Sequence, residues 1–496
     1  MGPITSEKNV RPLNVDQVIF NQLGAQNSII KGSCRLLYGK SNPTQPSRLY
    51  SKYCVPLESS VPLLPMTIHI VEVSEVTPAP NSDSVLNSAN SLAIPLTFFD
   101  LPWLVFKPAK RVFFYRLIES TREHFHSFIL PKLKLSLSLV LRDYLPLCGR
   151  ITWELNEPKP SIVVSQNDAI LVTIAETDAD FSLLSGYGQR PASELHNLLP
   201  EVPVSDDSAK VLSLKITLFQ SQGFSIGVAA HHGVSDGKTS TMFVKAWAHV
   251  CKQHLKENNV VVSLPETLTP SFDRSLIKDT TGLDEQMIKI VRSMKQDKTN
   301  VSRSLSPIPA WELGDDFVFT TLVLSCGDVE KLRERVKSKS PSQLHLSTFV
   351  IAYAYVWTCL VKARGGNMER PVSFLFVADF RERLDPPLPA TYFGNCMFPA
   401  GSYNSKTAAD FAREGGFVTA VEILSGLVKE FSSRKIETIA EEYKMGPLLG
   451  RPGWVCTSRI SGGEDPLRLM LSPLMETKSQ WQRDATNQVA SRSECA

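Results

Sequence analysis

His231 and His232 stand side by side at the end of an apolar run, and Asp236 follows four positions after the second, in "FSIGVAAHHGVSDGKTSTMFVKAWAHV" (residues 224–250). An imidazole titrates near neutrality, so it can take the proton of an alcohol as that alcohol attacks a carbonyl. Asp236 is spaced to fold back across the turn, where it can bond within the loop, pair with an arginine or cap the next helix. Two other readings fit the same residues. One is a structural turn whose acid is only a helix cap. The other is part of a metal site, which needs a third ligand. His249, His254 and His345 are single residues on predicted helices and do not supply an obvious one.

The flanking pattern says how such a histidine is held. "AKVLSLKITLF" (209–219) and "GFSIGVAAHH" (223–232) are apolar runs around a short turn, which predicts a hairpin of buried strands. A helix is expected from about Lys238, with Met242, Phe243, Trp247, Val250 and Cys251 on its apolar face. Gly233 and Gly237 permit a tight corner between strand and helix. That corner fixes a side chain while leaving it open to a cleft.

Further strands are expected at "MTIHIVEVSEVTPA" (66–79), "RVFFYRL" (111–117), "FVFTTLVLS" (317–325) and "VSFLFVADF" (372–380). Helices are expected from the segments starting at Leu130, Gly327, His345 and Phe417. The chain has 496 residues, which favours two domains. A hydrophobic content of 43%, a charged content of 21% and a net charge of +3 are ordinary globular values, and none favours a nucleic-acid partner. Nine dispersed cysteines read as reduced thiols of a cytoplasmic protein. No apolar run is long enough to suggest a membrane span, and the N-terminus lacks the order of a secretory signal.

The segments "PLTFFDLPWL", "LPLCGRITW", "HHGVSDG", "SFDRSLIKD" and "LDPPLPATYFGNC" occur in that order. Together they resemble the plant BAHD acyltransferases, most closely the flavonoid and anthocyanin glucoside branch that uses malonyl or hydroxycinnamoyl thioesters. The resemblance covers about Met66 to Met445. It implies an α/β fold of two chloramphenicol acetyltransferase-like domains with a solvent tunnel between them. It assigns His232 as general base and Asp236 as a structural acid facing away from substrate. It implies acyl-CoA as co-substrate, a phenolic glycoside as acceptor, no resident cofactor, no metal, no acyl-enzyme, and a monomer with no nucleic-acid or membrane partner. Gly394 and Asn395 then fall at the tunnel, where Asn395 either donates to a developing oxyanion or ties its own loop. Ser347 and Thr348 open a helix, where two hydroxyls either meet a CoA phosphate or malonyl carboxylate or simply cap it.

The expected organisation is a poorly ordered extension (1–65), an N-terminal domain (66–262), a crossover (263–285), a C-terminal domain (286–451) and an aberrant tail (452–496). The tail lacks the family's second signature, Asp-Phe-Gly-Trp-Gly. Joining the last base of each codon to the first two of the next allows Arg459 through Glu464 to encode that signature, and continuing to Lys478 gives a family-like C-terminus. A frameshift between Met445 and Arg459 is therefore expected. It raises a rival reading, a catalytically impaired homologue. A condensation domain, which shares the His-His-x-x-x-Asp-Gly corner, is a further rival. It is disfavoured by "YFGNC" and by the lack of an adjacent carrier domain.

Overall fold

A computed structural model describes residues 34–38, 66–80, 91–117, 121–186, 190–256, 263–295, 303–308, 318–322, 324–340, 343–433 and 469–471. Its largest sheet has five strands: β1 (Ile68–Val76), β2 (Ala109–Arg116), β3 (Ile170–Thr177), β4 (Leu212–Phe219) and β5 (Gly223–Ala230), in the spatial order β1-β3-β4-β5-β2. The expected hairpin is β4–β5, in register from Leu212 opposite Ala230 to Phe219 opposite Gly223. Every residue of both strands is buried. β4 nevertheless alternates, with Ser213, Lys215 and Thr217 buried on its second face and Lys215 Nζ donating to Asn197 O at 2.7 Å.

Helices α1 (Leu130–Val140) and α2 (Gly237–Lys256) pack on each other beside this sheet. Trp247 of α2 locks the pair by donating from Nε1 to Leu133 O at 3.3 Å and to Ser136 Oγ at 3.1 Å. Helix α3 (Leu283–Met294) packs against a short 3-10 helix, Leu101–Val105, which Pro102 helps to start. Its first residues fall inside the stretch expected to be a crossover. The acidic first turn, Asp284 and Glu285, favours a helix start there.

A second core is built from α4 (Cys326–Lys339), α5 (Thr348–Arg364), α6 (Gly416–Ser433) and strand β6 (Pro371–Asp379). Val336, Trp357, Phe411 and Val421 are at its centre. Strand β7 (Met397–Thr407) pairs antiparallel with β6. Phe376 of β6 packs against both cores, and within the first core Phe99 meets Phe398 of β7 at a centroid distance of 4.9 Å while Phe98 stacks on the same ring at 6.2 Å. Smaller sheets join Leu92–Pro95, Ser161–Val164, Arg150–Thr152 and Ser208–Lys210, and Leu469–Leu471, Cys34–Tyr38, Val318–Leu322 and Arg190–Pro191.

Apart from the backbone of two short strands, Cys34–Tyr38 and Leu469–Leu471, the expected 1–65 extension and 452–496 tail lie outside the described residues. Among the described residues, no helix is long and apolar enough to cross a membrane.

Candidate active site

His231 continues β5 by one residue, its backbone N–H donating to Val211 O at 2.8 Å. The chain then turns, with Val234 N donating to His231 O at 3.0 Å, and α2 begins at Gly237. The two histidines face different surroundings. His231 is 2% exposed, and its Nδ1 accepts from Gly233 N at 3.1 Å. Burial, with help from His232 and Lys295, pushes its pKa down to about 3. His232 is partly exposed. Burial of its ring lowers its pKa and Arg111 adds to that, while its own backbone carbonyl and Asp236 act in the opposite direction. The result is a neutral imidazole at physiological pH, the form a general base needs.

Asp236 divides its two oxygens between two tasks. Oδ1 caps α2, accepting from Lys238 N at 3.1 Å, Thr239 N at 3.0 Å and Thr239 Oγ1 at 3.1 Å. Oδ2 accepts from Arg381 Nη2 at 2.7 Å and more weakly from Cys396 N at 3.4 Å. The helix-cap and arginine-pair readings are therefore both realised, on opposite sides of one carboxylate. Burial pushes the Asp236 carboxyl upward, but the Arg381 guanidinium and the Thr239 bonds outweigh it and hold it below the usual range. Both oxygens are engaged away from His232, so the pair is not arranged as a proton relay.

Arg381 follows β6 and is 1% exposed. It also reaches Asp379 Oδ1 at 3.1 Å and Gly394 O at 2.7 Å. Asn395 is fully buried. Its Nδ2 donates to Asp100 Oδ1 at 3.1 Å and to His232 O at 3.0 Å, so both amide protons are engaged within the protein. Asp100 also accepts from Asn395 N at 3.0 Å, Thr97 N at 3.0 Å and Thr97 Oγ1 at 2.9 Å. The histidine's backbone is thus tied to a loop from the second half of the chain and, through it, to the "PLTFFD" turn.

Gly394 is required by a close approach. A Cβ there would lie 2.2 Å from Arg274 Nη1 and 2.8 Å from its Cζ. That guanidinium is itself fixed, donating to Tyr392 Oη and to Phe393 O at 2.6 Å each. Gly394→Ala is expected to cost about 1–3 kcal/mol of stability by overpacking, read as a lower thermal midpoint. Adding Arg274→Lys, which thins the obstructing group, should recover part of the loss.

Ser347 and Thr348 lie at the start of α5, a helix of the second core. Ser347 Oγ caps the helix, accepting from Val350 N at 3.4 Å. Thr348 is exposed. No contact brings either residue to His232. Among the described residues, no group of three or more His, Cys, Asp or Glu is placed to hold a metal ion.

Three site residues were not singled out from the sequence: Asp100, Trp103 and Arg381. Trp103 lies parallel over the His232 ring, with centroids 4.3 Å apart and planes 7° apart. Asp100 and Trp103 sit in "PLTFFDLPWL" and Arg381 follows "VSFLFVADF", so the segments were visible while the side-chain roles were not.

Residues 73–447 match the model of the Transferase family. The chain belongs to this family, the BAHD acyltransferases. Its relatives include phenolic glucoside malonyltransferase 2 of Arabidopsis thaliana, 68% identical over 77% of this chain and 82% of that protein. Agmatine coumaroyltransferase of the same plant is 44% identical over 77% of this chain and 82% of that protein. The crystal structure of vinorine synthase matches with a TM-score of 0.50 and 20% identity, over 76% of this chain and 80% of that one. That match supports the α/β fold expected of a BAHD acyltransferase. Within such an acyltransferase the corner at His232 is suited to deprotonate an acceptor directly, with Asp236 and Asn395 fixing where the imidazole stands.

Proposed function

We propose that the protein transfers a malonyl group from malonyl-CoA to a sugar hydroxyl of a phenolic glucoside. The observation that carries this reading is the 68% identity to a malonyltransferase of phenolic glucosides. The geometry supplies the chemistry. The neutral imidazole of His232 takes the hydroxyl proton as the oxygen attacks the thioester carbonyl. Collapse of the tetrahedral intermediate breaks the C–S bond, and the proton passes to the departing thiolate. No acyl-enzyme forms and no resident cofactor is needed. Thr348, exposed at a helix start, is the more available of the two α5 hydroxyls for a CoA phosphate. The proposal includes a monomer acting in the cytoplasm.

Malonyl-CoA and coumaroyl-CoA offered against phenolic glucosides and agmatine, with products read by mass spectrometry, test this reading. The expected product is a malonyl ester on the sugar. Exclusive coumaroyl transfer to the amine would overturn the donor and the acceptor together.

A second reading concerns the tail. The family match stops at residue 447, inside the interval where the frameshift is expected. The proposal is that 452–496 replaces the segment that completes the family's core, leaving apolar surface uncovered and activity reduced. Sequencing the transcript across codons 445–465 tests the frame. The frame-restored chain is expected to melt higher and turn over faster. Equal melting and turnover would show the altered tail to be without consequence.

A further inference from the structure

The Trp103 ring stacks on the base, and among the described residues its indole N–H has no protein acceptor. Trp103 is 6% exposed, and its Nε1 is buried without a hydrogen-bond partner among the described residues. An unsatisfied buried donor costs about 1–3 kcal/mol, so a conformation that keeps one next to a reacting group calls for an acceptor. Trp247 shows the ordinary alternative, with its Nε1 bonded to Leu133 O and Ser136 Oγ. Trp153 also has an unpartnered Nε1, but its ring lies under the Arg292 and Arg303 guanidinium groups at 5.3 and 5.5 Å, not beside His232.

The position of Trp103 is held from two sides. Asp100 anchors the turn before it through Thr97 and Asn395, and α3 packs against its 3-10 helix. Phe106 closes in on both rings, 5.7 Å from Trp103 and 6.4 Å from His232. Parallel stacking at 4.3 Å puts the edge of the indole within a few ångströms of the imidazole edge. An alcohol bonded to that imidazole presents its oxygen to a carbonyl carbon about 3 Å away. Asn395, for which the sequence allowed either an oxyanion donor or a tie within its loop, has both amide protons engaged, to Asp100 and to His232 O.

We propose that the Trp103 Nε1–H donates to the acyl carbonyl oxygen of the bound thioester and holds the oxyanion formed there. The inference rests on the malonyl-CoA reading above. In the step, the acceptor oxygen bonds to the carbonyl carbon and His232 takes its proton. The carbonyl π pair moves onto oxygen, where Trp103 holds it. The pair returns as the C–S bond breaks, and the thiolate takes the proton from His232.

The test uses the full chain with 15N-indole labelling, the Trp103 signal being identified by its loss in Trp103→Phe. Malonyl-CoA and free CoA are titrated separately, with binding followed by calorimetry. The expected result is a downfield shift of the Trp103 indole proton with malonyl-CoA that free CoA does not produce. Binding of malonyl-CoA with no such shift, or an equal shift with free CoA, overturns the inference and leaves the proposed function standing. Failure of malonyl-CoA to bind overturns both. Trp103→Phe, which preserves the stack and removes the donor, should in addition lower kcat by about 10²-fold at unchanged KM. A proportionate loss of thermal stability with kcat unchanged would show a packing role instead.

Discussion

His232→Ala is expected to abolish acyl transfer while leaving the fold in place. Among the described residues His232 Nδ1 has no hydrogen-bond partner, and the backbone carbonyl that Asn395 holds survives the substitution. His231→Ala should keep most turnover, because that ring is buried, bonded to Gly233 N and too weak a base. Turnover measured for the two variants decides the assignment, and retained activity in His232→Ala with loss in His231→Ala would reverse it. The pH profile gives an independent reading. Burial and Arg111 lower the His232 pKa in the free protein, so the acid limb of kcat/KM should fall below the ordinary histidine value of about 6.5. Stability carries the same sign. A histidine whose pKa is lowered on folding binds its proton more readily when unfolded. Its contribution is full above about pH 6.5 and declines as pH falls, and for His231 the decline continues to about pH 3.

Breaking the Asp236–Arg381 pair is the largest stability change expected from a single substitution at the site. Each partner is at most 2% exposed. Removing one side of a buried pair typically costs about 3–5 kcal/mol, so Arg381→Leu should lower the thermal midpoint sharply. Asp236→Asn should cost less, because Arg381 keeps Asp379 and Gly394 O. The double variant should cost less than the sum, since neither charge is left facing a lost partner. Activity should fall in all three, because Arg381 also holds the carbonyl of Gly394, the neighbour of Asn395. The Asp236 carboxyl is held below its ordinary range, so the pair's contribution is full above about pH 3.9 and is lost as pH falls through the lowered value. Additive costs in denaturant melts would mean that the two groups do not act as a pair.

The corner itself was legible from the sequence because its causes are local. Two apolar runs, a turn and paired glycines specify β4, β5 and the start of α2 without reference to anything distant. The partners of Asp236 divided along the same line. Its cap to Thr239 lies three residues away and follows from helix-start chemistry, whereas Arg381 lies 145 residues away and no local pattern selects it from other arginines. Strand β7 was missed for another reason. "MFPAGSYNSKT" carries a proline and a glycine where strand residues are expected, and it pairs with β6 in a two-stranded sheet whose edges tolerate them. The role of Asp100 is not legible in its aromatic segment, since a buried carboxylate is explained only by the donors that gather round it.

The bond between Asp100 and Asn395 spans 295 positions of the chain, and the one between Asp236 and Arg381 spans 145. During synthesis the acid therefore leaves the ribosome well before its arginine. At about 5–20 residues per second, the delay is roughly 7–30 seconds. Through that interval the nascent N-terminal half holds a carboxylate bound for a dry interior with no counter-charge. It also holds an Asp100 turn that has no asparagine to grip. The histidine corner can be drafted early, but it is aimed only once residues 381–395 have been made. A ribosome stalled or a message truncated between those points would yield a half-chain carrying the signature motif without its geometry, a natural client for chaperones.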